Sequence, residues 1–197
     1  MVPANFDKAS LRQQLLAARA LLSTEDVQSA AAVLAGHAVA LPELARARTV
    51  AAYVSVGREP GTRPLLDALR ARGVRVLLPV LLPDNDLDWG AYEGADSLVP
   101  AGRGLREPDG ARLGVDAVLD ADAVLLPGLA VDGRGMRLGR GGGSYDRVLA
   151  RLARADAHPA LVVLLYGDEV VARVPEEPHD HPVQAVVTPE GVRRFGA

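Results

Sequence analysis

The sequence predicts an α/β protein: an open, mainly parallel sheet with helices on both faces, an α/β/α sandwich. Three observations carry that expectation. Short apolar, β-branched runs recur along the chain and alternate with segments whose apolar residues fall at helical spacing. Residues 48–80 read strand, helix, strand, and a βαβ unit of that length requires its two strands to be parallel. The chain of 197 residues is 49% hydrophobic, which suits a single domain over residues 1–197 with a sizeable core.

The elements follow in order. Residues 7–22, DKASLRQQLLAARALL, place Leu11, Leu15 and Leu22 at helical spacing, with Asp7 as the cap. Ser23 with Asp26 forms a capping box for a second helix running to about Ala40. RTVAAYVSV, residues 48–56, is a buried strand. TRPLLDALRARG, residues 62–73, is a helix that stops at Gly73, and VRVLLPV, residues 74–80, is the next strand. LDWGAY, residues 87–92, reads either as an edge strand or as half a hairpin, and the stretch to Gly114 as loop. ADAVLLPGLAV, residues 121–131, is the most apolar strand. A helix then runs from about Ser144 to Ala155, followed by strands over residues 160–167 and 184–188.

Composition narrows the function. The net charge is −3, so no basic footprint for nucleic acid exists, and no polybasic segment for a membrane surface. Cysteine is absent, which excludes disulfides, thiolate metal sites and Cys nucleophiles. No apolar run approaches the ~20 residues of a membrane span, and MVPANFDKAS lacks the apolar core of a secretion signal. The expectation is a cytoplasmic protein, monomeric, with small-molecule partners. Of the 22 basic residues only Lys8 is lysine, the rest being arginine. Coding bias accounts for the arginines and leaves the exception at position 8 open.

RLGRGGGSYDR, residues 137–147, carries the densest signal. Gly139, Gly141, Gly142 and Gly143 have no side chain to keep an anion from their backbone N–H groups, and the helix that follows adds its positive end. Arg137 and Arg140 can fork onto phosphate oxygens. Asp146 has the wrong sign for phosphate and the right chemistry for Mg²⁺. The loop is neither a Walker loop, having no Lys, nor a dinucleotide fingerprint, having Ser144 where Gly or Ala is needed. A turn needing only positive φ would be served by one glycine.

Three further groups stand out. Lys8 and Arg12 share a helical face near the positive end of a helix, a placement that an anion between them would relieve; a solvated face is the alternative. Glu59 follows the first strand, where such sheets bind ligands; the alternative is a surface pair with Arg58 or Arg63. VPEEPHDHPV, residues 174–183, gathers acids with His179 and His181, either a transition-metal pair or, through Asp180, a second Mg²⁺ carboxylate if the loop folds towards Asp146. His37 and His158 read as surface or helix-end residues, and no serine sits in a nucleophile elbow.

Taken together, KASLR, YVSVGREPGT, RVLLP, LREPDG, LLPGLAVDGRGMRLGRGGGSYDR and PEEPHDHPVQAVVTPEGV resemble the 5-formyltetrahydrofolate cyclo-ligase family in order and spacing, from Lys8 to about Val187. The resemblance implies an ATP- and Mg²⁺-dependent conversion of 5-formyltetrahydrofolate to 5,10-methenyltetrahydrofolate, with release of ADP and phosphate. It implies that Lys8, Arg12, Arg137 and the loop Gly139, Arg140, Gly141, Gly142, Gly143, Ser144 and Tyr145 bind ATP. It further implies that Val54, Glu59 and the segment Arg140 to Ser144 meet the folate, that Asp146 and Asp180 hold Mg²⁺, and that Lys8 and Arg140 act on the reacting phosphate.

The chain departs from the family pattern twice. Ser144 and Tyr145 stand where two tyrosines are usual, and Arg103 and Gly104 stand where an aromatic is common. Two other functions remain compatible with the sequence: a nucleotide- and folate-binding protein without turnover, and an ATP-dependent enzyme acting on another N-formyl or pterin-like substrate.

Overall fold

A computed structural model describes residues 6–196. Residues 1–5, the start of the segment read as lacking a secretion signal, lie outside the described residues. Seven strands form one sheet: β1 (Thr49–Ala51), β2 (Arg75–Leu81), β3 (Leu87–Ala91), β6 (Ala123–Leu126), β9 (Ala160–Leu164), β10 (Ala185–Thr188) and β11 (Gly191–Arg194). Their order is β11-β10-β9-β6-β1-β2-β3. The five inner strands are parallel, and β3 and β11 close the edges antiparallel.

Strand pleat divides the core into two layers. Val50, Val76, Leu78, Leu125 and Val162 face helices α2 (Thr24–Val39) and α4 (Arg63–Ala71). Ala51, Leu77, Val124, Leu126 and Val163 face α5 (Ser144–Arg154). Both faces of the sheet are therefore covered, as the continuous apolar runs demand. Helix α1 (Lys8–Ala20) lies apart from these layers. Its Leu11 and Leu15 pack on Leu129, Met136, Leu138 and Val174. The Asp7 carboxylate accepts from the Ser10 amide at 2.7 Å, and Ser23 and Asp26 close the expected capping box on α2. Among the described residues no helix is long and apolar enough to cross a membrane.

Three sequence expectations change. The strand expected over residues 48–56 ends at Ala51, because the backbone beyond it turns to side-chain partners. Ser55 N–H donates to Thr62 Oγ1 at 2.9 Å, Val56 N–H to Glu59 Oε2 at 2.8 Å, and Thr62 Oγ1 donates to the Tyr53 carbonyl at 2.7 Å. The strand expected over residues 121–131 splits into β6 and β7 (Ala130–Val131), since Pro127 has no N–H for the ladder. Strand β7 pairs instead with β8 (Arg137–Leu138) in a small hairpin that leads into the glycine loop. The loop expected up to Gly114 contains a second hairpin, β4 (Leu98–Pro100) with β5 (Arg106–Pro108). Both readings of residues 87–92 hold: β3 is the edge strand, and it pairs antiparallel with β2 as half of a hairpin. The short helix α3 (Pro42–Ala45) and strand β11 lack any apolar periodicity to announce them.

Candidate active site

The carboxyl ends of β1, β2 and β6 open into one cavity of about 350 Å³. Every residue singled out as a ligand contact borders it: Lys8 and Arg12 from α1, Val54 and Glu59 from the loop after β1, Arg137 to Asp146 from β8 and the start of α5, and Asp180. Residues separated by more than 170 positions thus meet at one edge of the sheet. Tyr53, Pro79, Leu81, Leu87, Leu105, Pro127 and Gly128 also border the cavity and were not singled out from the sequence. Tyr53, Pro79 and Pro127 lie at strand ends, a signal that could have marked them. Leu105 depends on a hairpin that the sequence does not announce.

The glycine loop has the backbone its sequence requires. Gly141 and Gly143 adopt φ of 96° and 80°. A Cβ on Gly141 would lie 3.3 Å from the Arg12 guanidinium, and one on Gly139 would lie 2.9 Å from Arg137 Nη1. Arg12 Nε donates to the Gly139 carbonyl at 2.8 Å, so α1 and the loop are tied directly. Gly143 is the N-cap of α5 and supplies no side-chain cap, which leaves the amides of the first turn free for an anion.

Arg137 is the buried cation of the site. Its side chain is 7% exposed, Nη1 donates to the Pro127 carbonyl at 2.9 Å, and Nη2 lies 3.6 Å from Asp146. Burial pulls its pKa down, against the pull of Asp146. Arg137 Nε and the Tyr145 hydroxyl are two of the three buried side-chain polar atoms without a partner among the described residues. Burial also pushes the Tyr145 and Tyr53 hydroxyls well above the ordinary tyrosine value, so both are neutral donors at physiological pH. An orphaned N–H and an orphaned O–H at one cavity fit a ligand rich in acceptors.

Several sequence expectations about pairing are corrected. Lys8 Nζ donates to Asp180 at 2.7 Å and to Glu177 at 2.8 Å, so carboxylates of the chain relieve the charge crowding at the helix start. Burial lowers the Lys8 pKa, but the bonds to Asp180 and Glu177 outweigh it and the net direction is upward. Burial likewise raises the Asp180 carboxyl, while the Lys8 ammonium and the Glu177 amide draw it below the ordinary value. Glu59 pairs with neither Arg58 nor Arg63. Its Oε1 lies 3.4 Å from Arg140 Nε and its Oε2 accepts from the Val56 amide. His179 groups with Glu177 and Asp180, their ligand atoms lying within 4.8 Å of one another, rather than with His181. Both carboxylates of this group already accept from the Lys8 ammonium.

Fold and cavity together define an open α/β protein that gathers cations, backbone amides and carboxylates at the carboxyl edge of a parallel sheet. The model of the 5-formyltetrahydrofolate cyclo-ligase family matches residues 4–189. The chain belongs to that family. A 5-formyltetrahydrofolate cyclo-ligase of Mycolicibacterium smegmatis is 45% identical over 148 residues, 73% of this chain and 74% of the relative. The Escherichia coli K12 protein of the same name is 35% identical over 179 residues, covering 88% of this chain and 96% of the relative. The solution structure of Aquifex aeolicus 5,10-methenyltetrahydrofolate synthetase superposes with a TM-score of 0.81 at 29% identity, covering 96% of this chain and 93% of that one.

Proposed function

We propose that the chain catalyses the ATP- and Mg²⁺-dependent conversion of 5-formyltetrahydrofolate to 5,10-methenyltetrahydrofolate, with release of ADP and phosphate. The observation that carries this reading is the mixed lining of one cavity. Apolar Pro79, Leu81, Leu87 and Leu105 border it together with Arg103 and Arg106. The glycine loop borders it with Arg12, Arg137, Arg140 and Lys8. A flat ring system suits the apolar residues, and a polyphosphate suits the loop and its cations.

The chemistry needs no nucleophile from the protein. A formamide carbon is a poor electrophile, because nitrogen donates into it. The formyl oxygen attacks the γ-phosphorus of ATP, the bond to the β-bridging oxygen breaks, and ADP leaves. N10 of the folate then attacks the activated formyl carbon, its proton is lost, and the carbon–oxygen bond breaks with departure of phosphate. What the chain supplies is alignment and charge. Arg137 and Arg140, with the amides at the start of α5, hold the phosphates. Lys8 and Arg12 add two further cations to the cavity, and Lys8 and Arg140 would act on the transferring group. Asp146 and Asp180 would hold Mg²⁺, which supplies neutralising charge to the phosphates. Val54 and Glu59 meet the pterin, whose N–H groups suit a carboxylate. Segment Arg140 to Ser144 would meet both ligands, and Tyr145 borders the same cavity.

On this reading the chain works as a monomer in the cytoplasm on ATP and a reduced folate. The test is one assay with purified protein, following the near-ultraviolet absorbance of the methenyl product. A rise that requires 5-formyltetrahydrofolate, ATP and Mg²⁺ together is expected. Folded protein that binds both ligands without any rise would assign it to binding alone. Turnover of ATP with a different N-formyl compound would change the substrate.

A further inference from the structure

Away from the groups assigned to either ligand lies a buried ion pair, at the border of a second cavity that Tyr166 also lines. Arg19 of α1 and Glu169 are each 4% exposed. Arg19 Nε donates to Glu169 Oε1 at 2.6 Å and Nη2 to Oε2 at 2.9 Å. A buried pair is weak grounds for stability, because desolvation offsets its attraction. What else this pair touches is informative. Arg19 Nη2 also donates to the Gly128 carbonyl at 2.7 Å. Gly128 borders the cavity, and the adjacent Pro127 carbonyl is the acceptor for Arg137 Nη1. The backbone there is packed hard on Arg137, since a Cβ on Gly128 would lie 3.3 Å from Arg137 Cγ. Glu169 Oε2 in turn accepts from the Tyr166 amide at 3.0 Å. The Tyr166 ring lies under the Arg19 guanidinium, 5.7 Å from its centroid, and its hydroxyl donates to the Arg58 carbonyl at 2.9 Å. The next residue is Glu59.

We infer that Arg19, Glu169 and Tyr166 are positioning residues that register the two walls of the cavity, the Arg137 wall through the Gly128 carbonyl and the Glu59 wall through the Arg58 carbonyl. The inference rests on the proposed reaction for its kinetic expression. None of the three residues borders the ligand cavity, so each acts through backbone. Arg19 shares α1 with Lys8 and Arg12, and its fork therefore also sets the helix that carries them. Arginine is required here because one planar group must serve a carboxylate and a carbonyl at once.

The test compares R19M/E169Q, R19K and Y166F with the unaltered protein. R19M/E169Q removes both charges together, so no unpaired charge is buried, and the substituted amide at position 169 retains an acceptor for the Tyr166 N–H. Its kcat/KM for ATP is expected to fall about tenfold, beside a lower Tm from the unpaired Gly128 carbonyl, with R19K recovering part of the kinetic loss. Y166F, which buries no charge, is expected to raise KM for 5-formyltetrahydrofolate about threefold and leave KM for ATP unchanged. The Arg137 Nε–H resonance, sealed from solvent in the unaltered protein, should shift and exchange faster in R19M/E169Q. Unchanged constants with an unchanged resonance would overturn the inference, as would a lower Tm with unchanged constants. An unaltered protein without cyclo-ligase turnover would refute the proposed reaction instead, and the resonance would still decide the positioning role.

Discussion

Asp146 and Lys8 show how much a single residue's surroundings determine. Asp146 sits in the first turn of α5, where a carboxylate interacts well with the helix dipole, yet it supplies no cap and lies 3.6 Å from Arg137. Under the proposed reaction its oxygens are needed for the metal. Asp146→Asn should therefore abolish turnover while the thermal midpoint holds, a pairing checked by the absorbance assay beside a melting curve. Lys8 is held by Asp180 and Glu177 and faces the same cavity. Lys8→Ala should raise the apparent KM for ATP about tenfold, the equivalent of one charge-assisted hydrogen bond of roughly 1.5 kcal/mol. Steady-state kinetics at saturating folate would show it, and an unchanged constant would leave Lys8 only its role as a tether for residues 177–180.

At the scale of the element, the glycine loop and the helix caps separate function from stability. Gly143 adopts φ of 80° and a Cβ there would meet nothing within 4 Å, so Gly143→Ala tests backbone strain alone. It should cost about 1 kcal/mol of stability and raise KM for ATP, as denaturant titration and kinetics would report. Gly141→Ala adds crowding against the Arg12 guanidinium at 3.3 Å and should be worse in both respects. Ser23→Ala breaks the capping box on α2, far from the cavity. It should cost about 1 kcal/mol and leave every kinetic constant unchanged.

Across the whole molecule, Asp132 links distant segments. Its carboxylate is fully buried and accepts from the amides of Arg134, Met136 and Val174 and from the Arg134 side chain. The β7–β8 turn is thereby tied to the segment that leads to Asp180. Burial raises the Asp132 pKa, but these donors outweigh it and hold the group below its ordinary value of 3.8. Its contribution to stability is full above that value and is lost as pH falls through the lower native one. Asp132→Asn should cost roughly 2–3 kcal/mol near neutral pH, because a donor amide then faces donors. It should also flatten the acid limb of a stability–pH curve measured by denaturant unfolding. An acid limb of unchanged slope would show that other carboxylates govern it.

The sequence by itself determined the α/β class, the order of the principal elements, both caps at the start of α1 and α2, and the position of the glycine loop before α5. Those properties are local: apolar periodicity, cap residues and glycine runs express themselves within a few positions. Tertiary structure alone decided where β1 stops, because the partners of residues 55 and 56 are the side chains of Thr62 and Glu59. It alone matched Lys8 with Asp180, Glu59 with Arg140 and Arg19 with Glu169, pairs 172, 81 and 150 positions apart. Charge complementarity acts through space, and a chain rich in arginine and acid offers too many compatible partners for spacing to choose among them. The packing of α1 onto the β7–β8 hairpin brings its charged face to the edge of the sheet, and that contact selects which pairs form.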